Sequence, residues 1–222
     1  MNNLLKDLNR RFDHAALKSD VDEKAVLKLC EEAVEYDFFA VCVNPVWVKI
    51  AAEKLNGTNT KVVSTAGFPL GANRTDIKAV EAAKSVKDGA SEIDMVTNIG
   101  WIKSGDFEKV EKEIAEVRKS IPFNVLLKVI IEASLLTQLE LNEATKAVIA
   151  GGAQFVKTGT GFFGDATVEQ VQTLLKAAGG KIEVKASGGI KTLEKCQKLL
   201  SAGAVRLGTS SSVQIMREFK TT

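Results

Sequence analysis

Three lysines and one aspartate lie inside otherwise apolar runs. Lys128 sits in Leu126-Leu-Lys-Val-Ile-Ile131 and Lys157 in Phe155-Val-Lys-Thr158. Lys185 sits in Glu183-Val-Lys-Ala186 and Asp94 in Glu92-Ile-Asp-Met-Val96. An isolated lysine in such a run ordinarily reaches solvent along its aliphatic stem or pairs with a carboxylate. Three in successive runs, beside a fourth run carrying an aspartate, converge if all face one interior. Buried like charges cost free energy unless compensated, so a convergent set points to function. The chemistry that needs it is amine catalysis. Lysine attacks a carbonyl only when neutral, and its ordinary pKa of ~10.4 leaves few molecules ready at neutral pH. A second cation and desolvation both disfavour the ammonium form. A carboxylate with ordered water then moves the protons of carbinolamine dehydration. The same residues would equally suit a plain anion pocket.

A second constellation is rich in glycine. Ser187-Gly-Gly-Ile190 and Gly208-Thr-Ser-Ser211 follow the last two apolar runs. Glycine lets backbone N–H groups approach an anion closely. Ser210 and Ser211 add hydroxyls, and Lys191 adds charge. In an α/β barrel the loops after strands seven and eight are a common phosphate site.

The elements that must position these groups read as eight strands: Phe12–Leu17, Phe38–Asn44, Lys61–Gly67, Ser91–Asn98, Asn124–Glu132, Ala153–Thr160, Ile182–Gly189 and Val205–Ser211. They are spaced by about one βα unit of roughly 30 residues. Amphipathic stripes fill the gaps, such as Phe107, Val110, Ile114 and Val117, then Leu193, Cys196, Leu199 and Leu200. Asn44-Pro45 reads as an N-cap and first turn, and Thr167 with Gln170 as a capping box. Gly89, Gly151 and Gly203 stand where helices end and a left-handed residue is often needed. Strands apolar on both faces suit a parallel sheet covered by helices. Eight alternating units without a linker predict one (β/α)₈ TIM barrel over 1–222, with an open doubly wound sheet as the alternative.

Composition sets bounds. Thirty basic and 28 acidic residues leave a net charge of +2, which gives no long-range pull on nucleic acid. One histidine, His14, and three cysteines without metal spacing argue against a catalytic zinc. Cys30 and Cys196 fall in apolar helical stripes as buried thiols, which fits a reducing cytoplasm. Met1 to Arg11 is polar and lacks the apolar core of a signal peptide, and no run is long enough to span a membrane.

The segments Asp13-His-Ala-Ala-Leu-Lys18, Val41-Cys-Val-Asn-Pro45, Gly67-Phe-Pro-Leu-Gly71, Glu92-Ile-Asp-Met-Val96 with Asn98-Ile-Gly100, Leu127-Lys-Val-Ile-Ile-Glu132, Phe155-Val-Lys-Thr158 with Gly161-Phe162, Val184-Lys-Ala-Ser-Gly-Gly-Ile190 and Gly203 to Ser211 together resemble deoxyribose-phosphate aldolases, in order and in spacing. The resemblance spans nearly the whole chain. It implies a (β/α)₈ barrel that cleaves 2-deoxy-D-ribose 5-phosphate reversibly to acetaldehyde and D-glyceraldehyde 3-phosphate, without metal or cofactor. It implies Lys157 as the Schiff-base lysine, Lys185 as the cation that depresses its pKa, and Asp94 as the proton handler. It implies Lys128 near the substrate hydroxyls, Cys42 at the acetaldehyde end, and Gly161, Gly188, Gly189, Ser210 and Ser211 around phosphate. A homodimer or homotetramer is implied too.

Some residues depart from that pattern. Ala15, Ala133 and Gly159 each lack a hydroxyl usual at their positions. The tail from Met216 to Thr222 lacks the tyrosine some members carry, and the only tyrosine is Tyr36. Two other readings therefore stand beside the first: a related Schiff-base aldolase with another donor, and a non-catalytic barrel that binds a sugar phosphate. His14 reads as structural, and Arg206 as a brace for the barrel.

Overall fold

The computed structural model describes residues 5–221. Of the two terminal stretches considered above, residues 1–4 and 222 lie outside that range. Eight strands occur in chain order: β1 (Phe12–Ala16), β2 (Ala40–Val43), β3 (Lys61–Ala66), β4 (Glu92–Val96), β5 (Leu126–Ile130), β6 (Phe155–Lys157), β7 (Glu183–Ser187) and β8 (Arg206–Thr209). Each pairs in parallel with the next, and β8 closes on β1. The helices between them are α1 (Glu23–Glu35), α2 (Val48–Lys54), α3 (Thr75–Lys87), α4 (Ile99–Lys103), α5 (Phe107–Ser120), α6 (Gln138–Ala150), α7 (Val168–Ala178), α8 (Leu193–Ser201) and α9 (Ser212–Thr221). This is the (β/α)₈ barrel expected from the alternating pattern.

Local signals fix the helix ends. The capping box of α7 forms as read, with Thr167 accepting from the Gln170 N–H and Gln170 reaching back. A second box, Thr137 with Glu140, starts α6. Asn44 makes no side-chain cap, and Pro45 opens a short 3-10 turn rather than α2 itself. Gly89 and Gly203 have positive φ as expected, but Gly151 does not. Its reason is space: a Cβ there would lie 2.6 Å from Ile114 Cβ, so α5 and α6 approach closely only over glycine. The left-handed residue is the next one, Gly152.

The strands alternate in and out. Outward residues such as Val41, Ile93, Leu127, Val129 and Val184 pack with Val110, Ile114, Val117 and Leu174 of the helices, all of them buried. Each such side chain contributes about 1.5–3 kcal/mol through burial. The stripe of α8, Leu193, Cys196, Leu199 and Leu200, is buried in the same layer. His14 also faces outward, where Nε2 lies 3.0 Å from Glu32 Oε2 of α1. Burial lowers its pKa, against the raising effect of Glu32. Its role is structural.

Candidate active site

The inward positions of β4 to β8 carry the charged residues. Register places Asp94 beside Lys128 across β4 and β5, and Lys157 beside Lys185 across β6 and β7. Lys128 Nζ donates to Asp94 Oδ1 at 2.8 Å. Lys157 Nζ and Lys185 Nζ both donate to Asp94 Oδ2, at 2.8 and 2.6 Å. One carboxylate therefore gathers all three lysines, and the two ammonium-bearing side chains that share an oxygen lie within a few ångströms of each other. Lys185 also bonds Asp13, a residue of β1 that Arg206 grips from β8.

Burial and charge oppose each other here, and charge wins. Burial would raise the Asp94 carboxyl, but Lys128, Lys157 and Lys185 hold it well below the usual carboxylate range. Burial likewise would raise Asp13, and Arg206, then Lys185, hold it down. Burial would lower Lys185, yet Asp13 and Asp94 hold it above the ordinary lysine value. Lys185 is thus pinned as an ammonium by two carboxylates. Lys157 has one carboxylate partner and faces a cavity.

That cavity, of about 720 Å³, opens over the C-terminal ends of β1, β2 and β6 to β8. Lys157, Lys185 and Cys42 lie on its inner wall, and Gly161, Gly188, Gly189, Ser210 and Ser211 on its rim. So eight of the ten expected residues line one space, with Asp94 bonded to Lys157 and Lys185 beneath it, as barrel enzymes arrange chemistry. Asp94 and Lys128 are the two that stay off the wall: both are fully buried, and Lys128 touches Asp94 and Glu92. Burial pushes the Cys42 thiol up to about 11. Gly188 needs its glycine twice over, for φ of 110° and because a Cβ would stand 2.7 Å from the Gly164 carbonyl oxygen. Asp165 lies against Gly189, and its charge is answered by Lys195 at 2.8 Å.

Several contributors were missed in the sequence. Asp13 and Glu92 are inward carboxylates that bear on the lysines directly. The signal of Asp13 was present, since it is a charge inside a strand; Glu92 opens its strand and gave none. Glu132 was quoted only within a motif. It accepts from the Thr160 N–H and hydroxyl, and a Cβ at position 159 would lie 2.6 Å from its Oε1. Gly159 is therefore the residue that makes room for this carboxylate. Burial raises the pKa of Glu132, against hydrogen bonds from Thr160 and the charge of Lys157. Lys78 and Glu113 form a second buried pair at 2.6 Å, which ties the loop after β3 to the end of β4 through Gly71, Thr97 and Asn98. Among the described residues no group of three or more His, Cys, Asp or Glu is placed to hold a metal ion.

A closed parallel barrel with interior lysines around one aspartate, below a glycine-rimmed cavity, is the arrangement of a barrel aldolase. The chain belongs to the DeoC/LacD family of aldolases, which residues 9–215 match. It is 47% identical over 217 residues to a deoxyribose-phosphate aldolase of Brevibacillus brevis, covering 97% of this chain and 98% of that one. A deoxyribose-phosphate aldolase of a Geobacillus species is 46% identical over 211 residues, 95% of each chain. Among solved structures, an aldolase named QR15 superposes with a TM-score of 0.93 at 40% identity, over 97% of both chains. A tetrameric deoxyribose phosphate aldolase from Aeropyrum pernix superposes with a TM-score of 0.91 at 32% identity, over 97% of this chain and 92% of that one.

Proposed function

We propose that this aldolase cleaves 2-deoxy-D-ribose 5-phosphate reversibly to acetaldehyde and D-glyceraldehyde 3-phosphate through a Schiff base on Lys157. The observation that carries the reading is the asymmetry between neighbours. Lys185 is held as an ammonium by two carboxylates, while Lys157, with one, faces the cavity. A nucleophile must lose its proton, and a fixed cation beside it favours that loss.

Neutral Lys157 Nζ attacks C1 of the open-chain aldehyde. The carbinolamine loses water to give an iminium ion. The C2–C3 bond then breaks, its electron pair moves toward the iminium nitrogen, and the C3 hydroxyl loses its proton as the new carbonyl forms. Glyceraldehyde 3-phosphate leaves with three carbons. The two-carbon enamine is protonated at its terminal carbon, and water hydrolyses the resulting iminium to acetaldehyde and free Lys157. Asp94 passes these protons by way of water, Lys185 keeps positive charge beside the nitrogen, and Lys128 holds Asp94 in place from below. Gly161, Gly188, Gly189, Ser210 and Ser211 anchor the phosphate. Cys42 borders the two-carbon end. The names of the relatives support this substrate, and the tetrameric Aeropyrum neighbour supports a homo-oligomer, either dimer or tetramer. Three buried free cysteines support a reducing compartment, the cytoplasm. Among the described residues no helix is long and apolar enough to cross a membrane.

The test is borohydride reduction in the presence of acetaldehyde, followed by peptide mass spectrometry. A two-carbon adduct on Lys157 is the expected result. Absence of any adduct, beside a positive control, would overturn the reading in favour of a non-catalytic sugar-phosphate barrel.

A further inference from the structure

The contacts of the interior charges close into a ring. Arg206 Nε donates to Asp13 Oδ1 at 3.1 Å, and Asp13 takes Lys185 on its other oxygen. Lys185 continues to Asp94 at 2.6 Å, Asp94 to Lys128 at 2.8 Å, and Lys128 to Glu92 at 2.5 Å. Glu92 returns to Arg206 at 3.3 Å. No member has more than 7% of its side chain exposed. Three cations alternate with three carboxylates, so the ring is balanced in charge. Lys157 hangs from it by its single bond to Asp94. At the floor the ring of Phe39 stacks on Arg206, its centroid 3.6 Å from Arg206 Cζ.

Each ring member has two opposite charges as partners. Moving one proton onto or off a member leaves two buried neighbours short of a partner, a costly change in a desolvated site. Lys157 has one such partner and an open side toward the cavity. Loss of its proton leaves one buried partner, Asp94, which keeps two other cations. We infer that Glu92 and Arg206, at the floor of the barrel and out of reach of substrate, are positioning residues that set the protonation of Lys157 through this ring. The inference rests on the reading of Lys157 as the Schiff-base lysine. The depressed carboxyls of Asp13 and Asp94 and the raised Lys185 and Arg206 are what a charge-locked ring produces. The titratable groups around Lys157 are Asp94 from β4, Glu132 after β5, Lys185 from β7 and Cys42 from β2, with Asp13 of β1 on the same cavity and Lys128 of β5 behind Asp94. Glu92 and Arg206 act on it only through these.

Opposite substitutions at the floor then have opposite effects. Glu92→Gln keeps shape and removes a negative charge. The cluster gains a net positive charge, neutral Lys157 is favoured, and the acid limb of the pH profile moves down by about half to one unit. Arg206→Gln removes a positive charge and moves the limb up by a similar amount, roughly half to one unit. The double variant removes the pair as a neutral unit and returns the limb to its wild-type place. Arg206→Lys keeps the charge and leaves the limb unmoved.

The readout is the pH dependence of cyanoborohydride trapping of acetaldehyde on Lys157, by peptide mass spectrometry, together with kcat/KM for cleavage. Circular dichroism melts verify folding. Should Arg206→Gln not fold, Glu92→Gln and the double variant still decide. Shifts of opposite sign that cancel in the double variant support the ring, because a merely structural role does not reverse sign. An adduct on Lys157 whose pH dependence ignores Glu92→Gln, or shifts in one direction for both single variants, overturns the ring alone. No adduct on Lys157 in the wild type overturns the functional reading and the ring with it.

Discussion

The barrel interior has two halves built on the same alternation of strands. On the β1 to β3 side, Ala40, Cys42 and Val63 form a small buried apolar cluster, with Ala15, Leu17 and Phe39 packed against it. On the β4 to β8 side the equivalent inward positions hold Asp94, Lys128, Lys157, Lys185 and Arg206, and Asp13 of β1 joins this ionic half through Lys185 and Arg206. Both halves are buried, yet burial acts differently on them. It raises the Cys42 thiol to about 11, because that group has no strong partner. The same burial fails to raise the Asp94 carboxyl, because three lysines surround it. Desolvation sets the scale of an electrostatic effect here, and the partners set its sign.

The largest break in this arrangement is the loss of the nucleophile. Lys157→Ala is expected to remove activity by at least about 10⁴-fold, since the covalent route goes with it. The fold is expected to persist, because Asp94 keeps two lysine partners. Retention of most activity in a steady-state cleavage assay would sink Lys157 as the Schiff-base residue.

Asp94→Asn comes next. It removes the carboxylate on which three lysines converge, so activity is expected to fall by about 10²–10⁴-fold. Leaving buried cations without their partner is expected to cost about 3–5 kcal/mol of stability. Thermal melts over pH sharpen the point. Asp94 and Asp13 have depressed carboxyls, so their stabilisation is complete above the ordinary carboxylate value of about 4. It is lost as pH falls through their lower folded values. The Asn variant is expected to show a shallower loss in acid than the wild type. A variant with wild-type stability and an unchanged acid slope would mean that the ionic half is not held together by this carboxylate.

Lys185→Leu carries the apolar half into the ionic one. With the neighbouring cation gone, its repulsion of a proton on the nucleophilic amine is lost, and the acid limb of kcat/KM is expected to move up by about one unit. The rate at neutral pH is expected to fall by about 10- to 100-fold, through the smaller neutral fraction and the loss of a bond to Asp94. An unmoved limb would contradict the effect of one lysine on the other.

The eight strands, each trimmed by a residue or more from its expected ends, were legible because alternating apolar runs and helical stripes agree along the whole chain. The lysines and Asp94 were legible because a charge in a buried strand is locally anomalous. Glu92 was not, and Arg206 was read only as a brace without its partners, for a physical reason. They are the first residues of β4 and β8, where a charge ordinarily emerges into solvent. Their burial exists only because closure of the barrel brings β8 beside β1 and directs both side chains across the floor. Glu132 was hidden by backbone: its φ of 52° is unusual for glutamate, and its carboxylate fits only because position 159 is glycine. Lys78 finds its partner 35 residues away on another helix, and no local pattern encodes that meeting.

The smallest effect belongs to the apolar half. Cys42 borders the cavity without a charged partner in hydrogen-bond reach, so Cys42→Ala is expected to change kcat/KM by less than about tenfold. Its thiol chemistry gives the finer measurement. With a thiol pKa of about 11, thiolate at pH 8 amounts to about one part in a thousand, against about a quarter for an ordinary cysteine. Alkylation by iodoacetamide at pH 8, followed by mass spectrometry of the Cys42 peptide, is therefore expected to be slower than that of an exposed thiol by two orders of magnitude or more. Rapid labelling of folded protein would mean that the neighbouring lysines, not burial, govern this thiol. The division of the interior into an apolar and an ionic half would then have to be redrawn, with Cys42 on the ionic side.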